Sequence, residues 1–329
     1  MPNDSDVPGL LAIAAGKHLG AHMSVENVVP LTGGAASTTF RFDLVGADAT
    51  QQCILRCAQP KSGFWVGVDK TTEAEVQQAC FDAGIPVAEV IFVLNADDGL
   101  GQGYVMTCLR GETIPQKILR KETYRDVRGR LAAQCGNLLA AIHAVEPVHG
   151  LARLSVADQL GALEQEYRRH DRSIPAFELA LRWLYLNKVE RGECSLVHGD
   201  FRNGNLLVTP EEGLHGVLDW ELCHVGDPME DLGWLCVNSW RFGNPELPVG
   251  GFGDRTALFA AYEAASGRAV DPARVRFWEL FGTLKWGVIC LYMSAGDEGQ
   301  RMSLEHAAIG RRVSETEADL LAMLAELDT

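Results

Sequence analysis

Residues 195–235 read SLVHGDFRNGNLLVTPEEGLHGVLDWELCHVGDPMEDLGWL, and no other stretch sets so many reactive side chains between apolar runs. Leu196 and Val197 give way at once to His198, Asp200, Arg202, Asn203 and Asn205, as when a buried strand delivers polar groups to an edge. Leu206–Val208, a Pro-Glu-Glu-Gly turn and Val217–Leu218 then predict a hairpin that ends on Asp219 and Glu221, with His224 and Asp227 close behind. The spacing His-x-Asp-x-x-x-x-Asn, followed by an Asp after the next strand, is what phosphoryl transfer from a magnesium nucleotide requires. One carboxylate takes the proton of the attacking hydroxyl; an amide oxygen and a second carboxylate hold hard cations. Asp200 fits the first role, Asn205 and Asp219 the second.

HGDFRNGN, VLDWE and GDPMEDLGW together resemble the aminoglycoside phosphotransferase and choline kinase superfamily, small-molecule kinases with a protein-kinase-like fold. The nearest likeness is to the bacterial branch related to the kinase-like domain fused to some acyl-CoA dehydrogenases, and it covers roughly residues 25–295. The resemblance implies an α+β, two-lobed fold. Residues 1–108 would form an N-lobe with an antiparallel five-stranded sheet and one main helix, and residues 109–329 a mainly helical C-lobe. It also implies ATP and magnesium, and transfer of the γ-phosphate to a hydroxyl of a small molecule. Two other readings compete: a nucleotide-binding pseudokinase or sensor, and a metal-dependent hydrolase with His198, Asp200, Asp219 and His224 as ligands. Asp227, before Pro228 and an apolar helical pattern, reads as a helix N-cap, and the resemblance points Asp231 back into the catalytic loop.

A chain of 329 residues, 47% hydrophobic, can bury a large core. Its formal net charge of −15, with no basic run to offset it, argues against a nucleic-acid partner. Nine scattered cysteines, several inside apolar runs, read as free thiols of a reducing cytoplasm. Cys53 and Cys57 fall on one face of a strand. The first twenty residues lack a basic leader, and no apolar run approaches the roughly 20 residues of a membrane span. The expectation is a cytoplasmic protein without a membrane partner, its oligomeric state unspecified.

Earlier in the chain, Leu10, Leu11, Ala14 and Ala15 predict a leading helix over 8–20. Strand-like runs flank Gly33, Gly34, Ala35, Ala36 and Ser37, which read either as a hairpin turn or as a loop whose amides approach phosphates. With Asp200 and Asp219 downstream the nucleotide loop is preferred, with Gly33, Gly34 and Ser37 as its contacts. The strand Gln52–Arg56 carries, by the resemblance, the phosphate-contacting cation as Arg56 where protein kinases use lysine. Glu73, in the helix that follows, matches the glutamate that pairs with it, though a first-turn glutamate needs no partner; Glu75 is the alternative, and Lys61 and Lys70 are alternative cations. Strands over 87–94 and 103–109 follow, and the resemblance makes Met106–Leu109 the hinge, with Met106 and Cys108 against adenine. Helices are predicted over 124–145, 156–170, 174–190 and 314–327. His143 reads as a dipole-stabilised helix end, and the stripe Trp278, Phe281, Trp286, Ile289 and Tyr292 as core. The pocket walls are variable in this superfamily, and a metabolic alcohol is expected as acceptor in preference to an antibiotic.

Overall fold

In a computed structural model of the protein, residues 5–31, 37–58, 67–189, 192–295 and 304–327 are described. The chain divides into two compact units. One comprises Met1–Gly111, Pro147–Leu151 and Gly216–Cys223; the other comprises Glu112–Glu146, Ala152–His215 and His224–Thr329.

The first unit contains α1 (Val7–Leu19), β1 (Ser24–Leu31), β2 (Ser37–Val45), β3 (Thr50–Ala58), α2 (Lys70–Asp82), β4 (Val90–Val93) and β5 (Gly103–Thr107). Its five strands form one antiparallel sheet in the order β1-β2-β3-β5-β4. Alternation along β3 assigns the two faces. Cys53, Leu55 and Cys57 join Phe40 and Phe42 of β2 and Val7, Leu11, Ala14 and Ala15 of α1 in one core. Ile54 turns the other way, with Tyr104 and Met106 of β5 and Ala74 of α2. The same alternation puts Arg56 on the α2 side, opposite Tyr104 in the β3–β5 register. Cys53 and Cys57 therefore share a face for packing, and burial pushes both thiols up to about 12. Asp69 starts α2 by accepting the N–H groups of Thr71 and Thr72, both at 2.9 Å.

The second unit contains α3 (Pro115–Arg120), α4 (Arg125–Ile142), α5 (Val156–Arg169), α6 (Pro175–Leu186), β6 (Ser195–Val197), β7 (Leu206–Thr209), β8 (Gly213–Val217), β9 (His224–Gly226), α7 (Met229–Cys236), α8 (Arg255–Ser266), α9 (Pro272–Ala295), α10 (Leu304–Gly310) and α11 (Val313–Leu327). The last two residues of β8 are counted with the first unit. β7 and β8 form the expected hairpin, while β6 pairs antiparallel with β9. α7 packs closely on α9. A Cβ at Gly233 would lie 2.6 Å from Cβ of Trp278 and 2.8 Å from the Glu279 nitrogen, so only glycine permits this approach. Trp278 and Phe281 belong to the core as expected, whereas Trp286, Ile289 and Tyr292 are half-buried. α3 and α8 were outside the sequence-based expectations. Among the described residues no helix is long and apolar enough to cross a membrane, and all nine cysteines are free thiols.

Candidate active site

The loop of the second unit that carries the expected site residues His198, Asp200 and Asn205 runs from the end of β6 to the start of β7, and its backbone is held by one buried carboxylate. Asp231, on α7, accepts the N–H groups of His198 at 2.8 Å and Gly199 at 2.9 Å. Burial opposes its charge, but hydrogen bonding from His143 and the two nearby histidines win and lower its pKa. His143 stands at the end of α4 as expected, and it has partners that the expectation did not include. It caps the end of α4, yet its Nε2 lies 3.1 Å from Asp231 and its Nδ1 2.9 Å from the Tyr262 hydroxyl. It thus works as a bridge from α8 to the loop anchor and is not a solvated helix end. A dipole argument counts residues from a helix terminus and cannot see a partner 88 residues away.

His198 is fully buried, and its Nδ1 accepts the Asp200 N–H at 3.2 Å. Asp200 itself is surrounded by donors. The Trp234 indole N–H donates to Oδ1 at 2.8 Å, the Asn205 amide donates to Oδ2 at 2.6 Å, and Arg202 Nε lies 3.0 and 3.3 Å from the two oxygens. A second hydrogen of the Asn205 amide reaches the Asp200 carbonyl at 3.0 Å. With its NH2 group committed to Asp200, Asn205 has its Oδ1 left to offer to a hard cation, as a magnesium ligand requires. Neither Trp234 nor Arg202 was assigned a role from the sequence. Trp234 stands 34 residues from Asp200, and only the packing of α7 brings it there.

Asp227 accepts the Met229 N–H at 3.0 Å, as a residue capping α7 should, and its other oxygen takes Arg274 Nε at 2.6 Å and Trp278 Nε1 at 2.7 Å. It ties α7 to α9. His224 is likewise spent within the unit, 3.1 Å from Glu230. His198 is thus committed to the loop and His224 to Glu230, and among the described residues no three His, Cys, Asp or Glu side chains gather as a metal-hydrolase reading needs.

The first unit holds the second carboxylate cluster. Asp219 ends the hairpin in the left-handed region, φ 72° and ψ 66°, a conformation that Asp adopts more readily than most residues but at some cost. Its Oδ1 is paired with Arg56 Nη2. Arg56 also reaches Glu221 at 3.2 Å and, through Nε, Glu73 at 2.9 Å. Glu73, not Glu75, is therefore the helix glutamate at this arginine. It is fully buried, and its second oxygen meets Lys70 Nζ at 2.5 Å while the Tyr104 hydroxyl donates to the first at 2.9 Å. Lys70 lies 3.7 Å from Glu221 as well. Two cations and two glutamates thus alternate, with Asp219 at the edge.

Burial works against the Arg56 charge, but Asp219 and Glu73 more than compensate and raise its pKa. Glu221 is pushed up to about 7, by burial first and by Asp219 second, against Arg56 and Lys70. Among the other expected contacts, Gly33, Gly34 and Lys61 lie outside the described residues. Ser37 opens β2 with its hydroxyl buried and without a hydrogen-bond partner among the described residues. Met106 is buried on the α2 side of the sheet, its sulfur 3.3 Å from the Gln77 amide. Cys108 is half-buried and its N–H donates to the Gln52 carbonyl at 3.0 Å, so its own carbonyl is what it can offer a ligand.

The model of the phosphotransferase enzyme family matches residues 27–278. Mouse acyl-CoA dehydrogenase family member 10 is 27% identical over 259 residues, 72% of this chain and 23% of that protein. Human acyl-CoA dehydrogenase family member 11 is 26% identical over 231 residues, 66% of this chain and 29% of that protein. The chain thus spans only about a quarter of the length of the curated relatives it matches. Among solved structures, a Ralstonia eutropha JMP134 protein assigned to the aminoglycoside phosphotransferases shares the fold with a TM-score of 0.75. It is 21% identical, and the match covers 97% of this chain and 98% of that one. Spectinomycin phosphotransferase, solved with ADP and spectinomycin, gives a TM-score of 0.64 at 12% identity, over 96% and 98% of the two chains.

Proposed function

This chain belongs to the phosphotransferase enzyme family, and from that premise we propose that it transfers the γ-phosphate of ATP, with magnesium, to a hydroxyl of a small molecule. The observation that carries the reading is the state of Asp200, whose carboxylate is held by the Trp234 indole and by the amide of the same Asn205 that the spacing nominates as a metal ligand. A residue fixed by several donors is preorganised for one task, which here is to accept the proton of the attacking hydroxyl.

As the acceptor oxygen bonds to the γ-phosphorus, its proton passes to Asp200 and the bond to the β-phosphate oxygen breaks, releasing ADP. Asp219 and the Asn205 Oδ1 are the proposed magnesium ligands, and both are the oxygen donors that ion takes. When bound, magnesium would neutralise charge on the phosphate oxygens. Arg56, kept cationic by Glu73 and Asp219, supplies positive charge for the phosphates. Ser37 and the glycines before it, with Met106 and Cys108, are the proposed nucleotide contacts. The acceptor is proposed to be a metabolic alcohol.

A screen of hydroxyl compounds for magnesium-dependent ADP release tests the reading directly. Release with at least one alcohol is expected. A purified protein that binds no nucleotide in the presence of magnesium would remove the reading altogether, and efficient turnover of aminoglycosides with no other alcohol accepted would remove the assignment of the acceptor.

A further inference from the structure

Arg202 stands two residues after Asp200 and is pinned on two sides. Its Nε lies 3.0 and 3.3 Å from the Asp200 oxygens, and its guanidinium carbon sits 4.6 Å above the centre of the Trp240 ring. The two terminal nitrogens make no hydrogen bond to any described residue, and the side chain is 25% exposed. An arginine whose only task was to neutralise a carboxylate would pair through its two-pronged end. Here the single Nε contact turns that end away from Asp200.

The loop also reserves space for it. A Cβ at Gly204 would fall 2.6 Å from Arg202 Nη1, and Gly204 has φ of +122°, so the glycine serves both the backbone and the guanidinium. Stacking on Trp240 and the bond to Asp200 have already removed much of the rotamer freedom of a long side chain. The remaining donors can therefore bind with less entropic loss.

We infer that the free end of Arg202 binds an oxyanion brought to the site beside the reacting hydroxyl. This rests on Asp200 being the proton acceptor of a phosphotransferase, and it makes Arg202 a substrate-binding residue. The oxyanion has two possible carriers: the phosphoryl group in transfer, or a carboxylate or phosphate on the acceptor molecule.

Two measurements on wild type, Arg202→Gln and Arg202→Lys separate the carriers. In calorimetry with magnesium, AMP-PNP and ADP differ by the terminal phosphoryl group. If that group is the ligand, Arg202→Gln weakens AMP-PNP by about 10- to 100-fold while ADP is nearly unchanged. In ADP-release assays, hydroxy carboxylates are compared with their neutral amides. If the acceptor carries the anion, wild type prefers the acids and Arg202→Gln erases the preference through KM. In whichever assay responds, Arg202→Lys should recover only part of the effect, because a point charge replaces a fork.

The inference is overturned if wild type binds nucleotide and releases ADP while Arg202→Gln alters neither comparison. A failure of the underlying reading looks different, since it would show in wild type itself as absence of magnesium-dependent nucleotide binding. Should Arg202→Gln not fold, as judged by its melting transition, Arg202→Lys carries both comparisons, and wild-type values for it in both would equally overturn the inference.

Discussion

Asp200 and Glu73 show how differently two carboxylates can be held by the same protein. Asp200 receives donors but its side chain remains 13% exposed, which leaves it within reach of a substrate. Asp200→Asn keeps the shape and removes the proton acceptor. Turnover is expected to fall by roughly 10²–10⁴ with nucleotide affinity largely intact; near wild-type turnover in a steady-state assay would take Asp200 out of that role. Glu73 is wholly buried, and its two oxygens are divided between Arg56 and Lys70. Removing it leaves the two cations only Asp219 and Glu221 as carboxylate partners, so Glu73→Ala should cost about 3 kcal/mol of folding stability in denaturant titrations, with Glu75→Ala near neutral as its control. A loss within the control's range would mean that Arg56 and Lys70 find other partners. Lys70 was legible only as an alternative to Arg56. The sequence places it three residues before Glu73 but cannot show that both cations share one carboxylate, because that depends on β3 and α2 meeting at a particular height.

At the scale of elements, periodicity was a good guide wherever one face of an element is buried locally. α1, α4 and α11 fall within a few residues of the expected spans, and the five-stranded antiparallel sheet is as the resemblance implied. Expectations failed where an element depends on distant partners. β6 falls where a buried strand was expected, but its three-residue partner β9 was not foreseen, because the central pair, Leu196 with Val225, spans 29 positions and no local pattern announces it. α8 carries only two fully buried residues, Leu258 and Tyr262, so its apolar stripe is thin, yet Tyr262 reaches His143 beneath the catalytic loop. The contact of α7 with α9 offers the sharpest test of this level. Gly233→Ala would drive a methyl group into Trp278 and the α9 backbone. It should destabilise the protein by about 1–3 kcal/mol. Because Trp234 is the next residue and donates to Asp200, turnover should fall in the folded fraction as well. An unchanged melting transition would show that the helices can part at this point without cost.

For the molecule as a whole, the prediction concerns how ligand binding feeds back on stability. A ligand that binds only the folded state stabilises it by RT ln(1 + [L]/Kd), about 2.7 kcal/mol at a hundredfold excess over Kd. Magnesium and ATP should therefore raise the melting temperature by several degrees, and more together than the sum of each alone, if the metal is bound through phosphate and protein at once. Asp219 is the residue on which that synergy is expected to depend. It is the proposed anionic metal ligand, and its carboxylate is paired with Arg56. Asp219→Ala removes the carboxylate, so ATP alone should still stabilise the variant, since Arg56 and the other proposed nucleotide contacts remain. Added magnesium should contribute nothing further. Arg56, freed of one of its three carboxylate partners, could even strengthen the metal-free ATP effect. Melting curves over a grid of magnesium and ATP concentrations would separate these terms. If the Asp219→Ala variant keeps the full synergy, the metal is held elsewhere, with Glu221, which shares Arg56 with Asp219, the carboxylate to examine; if wild type shows no synergy, the magnesium nucleotide is not the ligand of this chain.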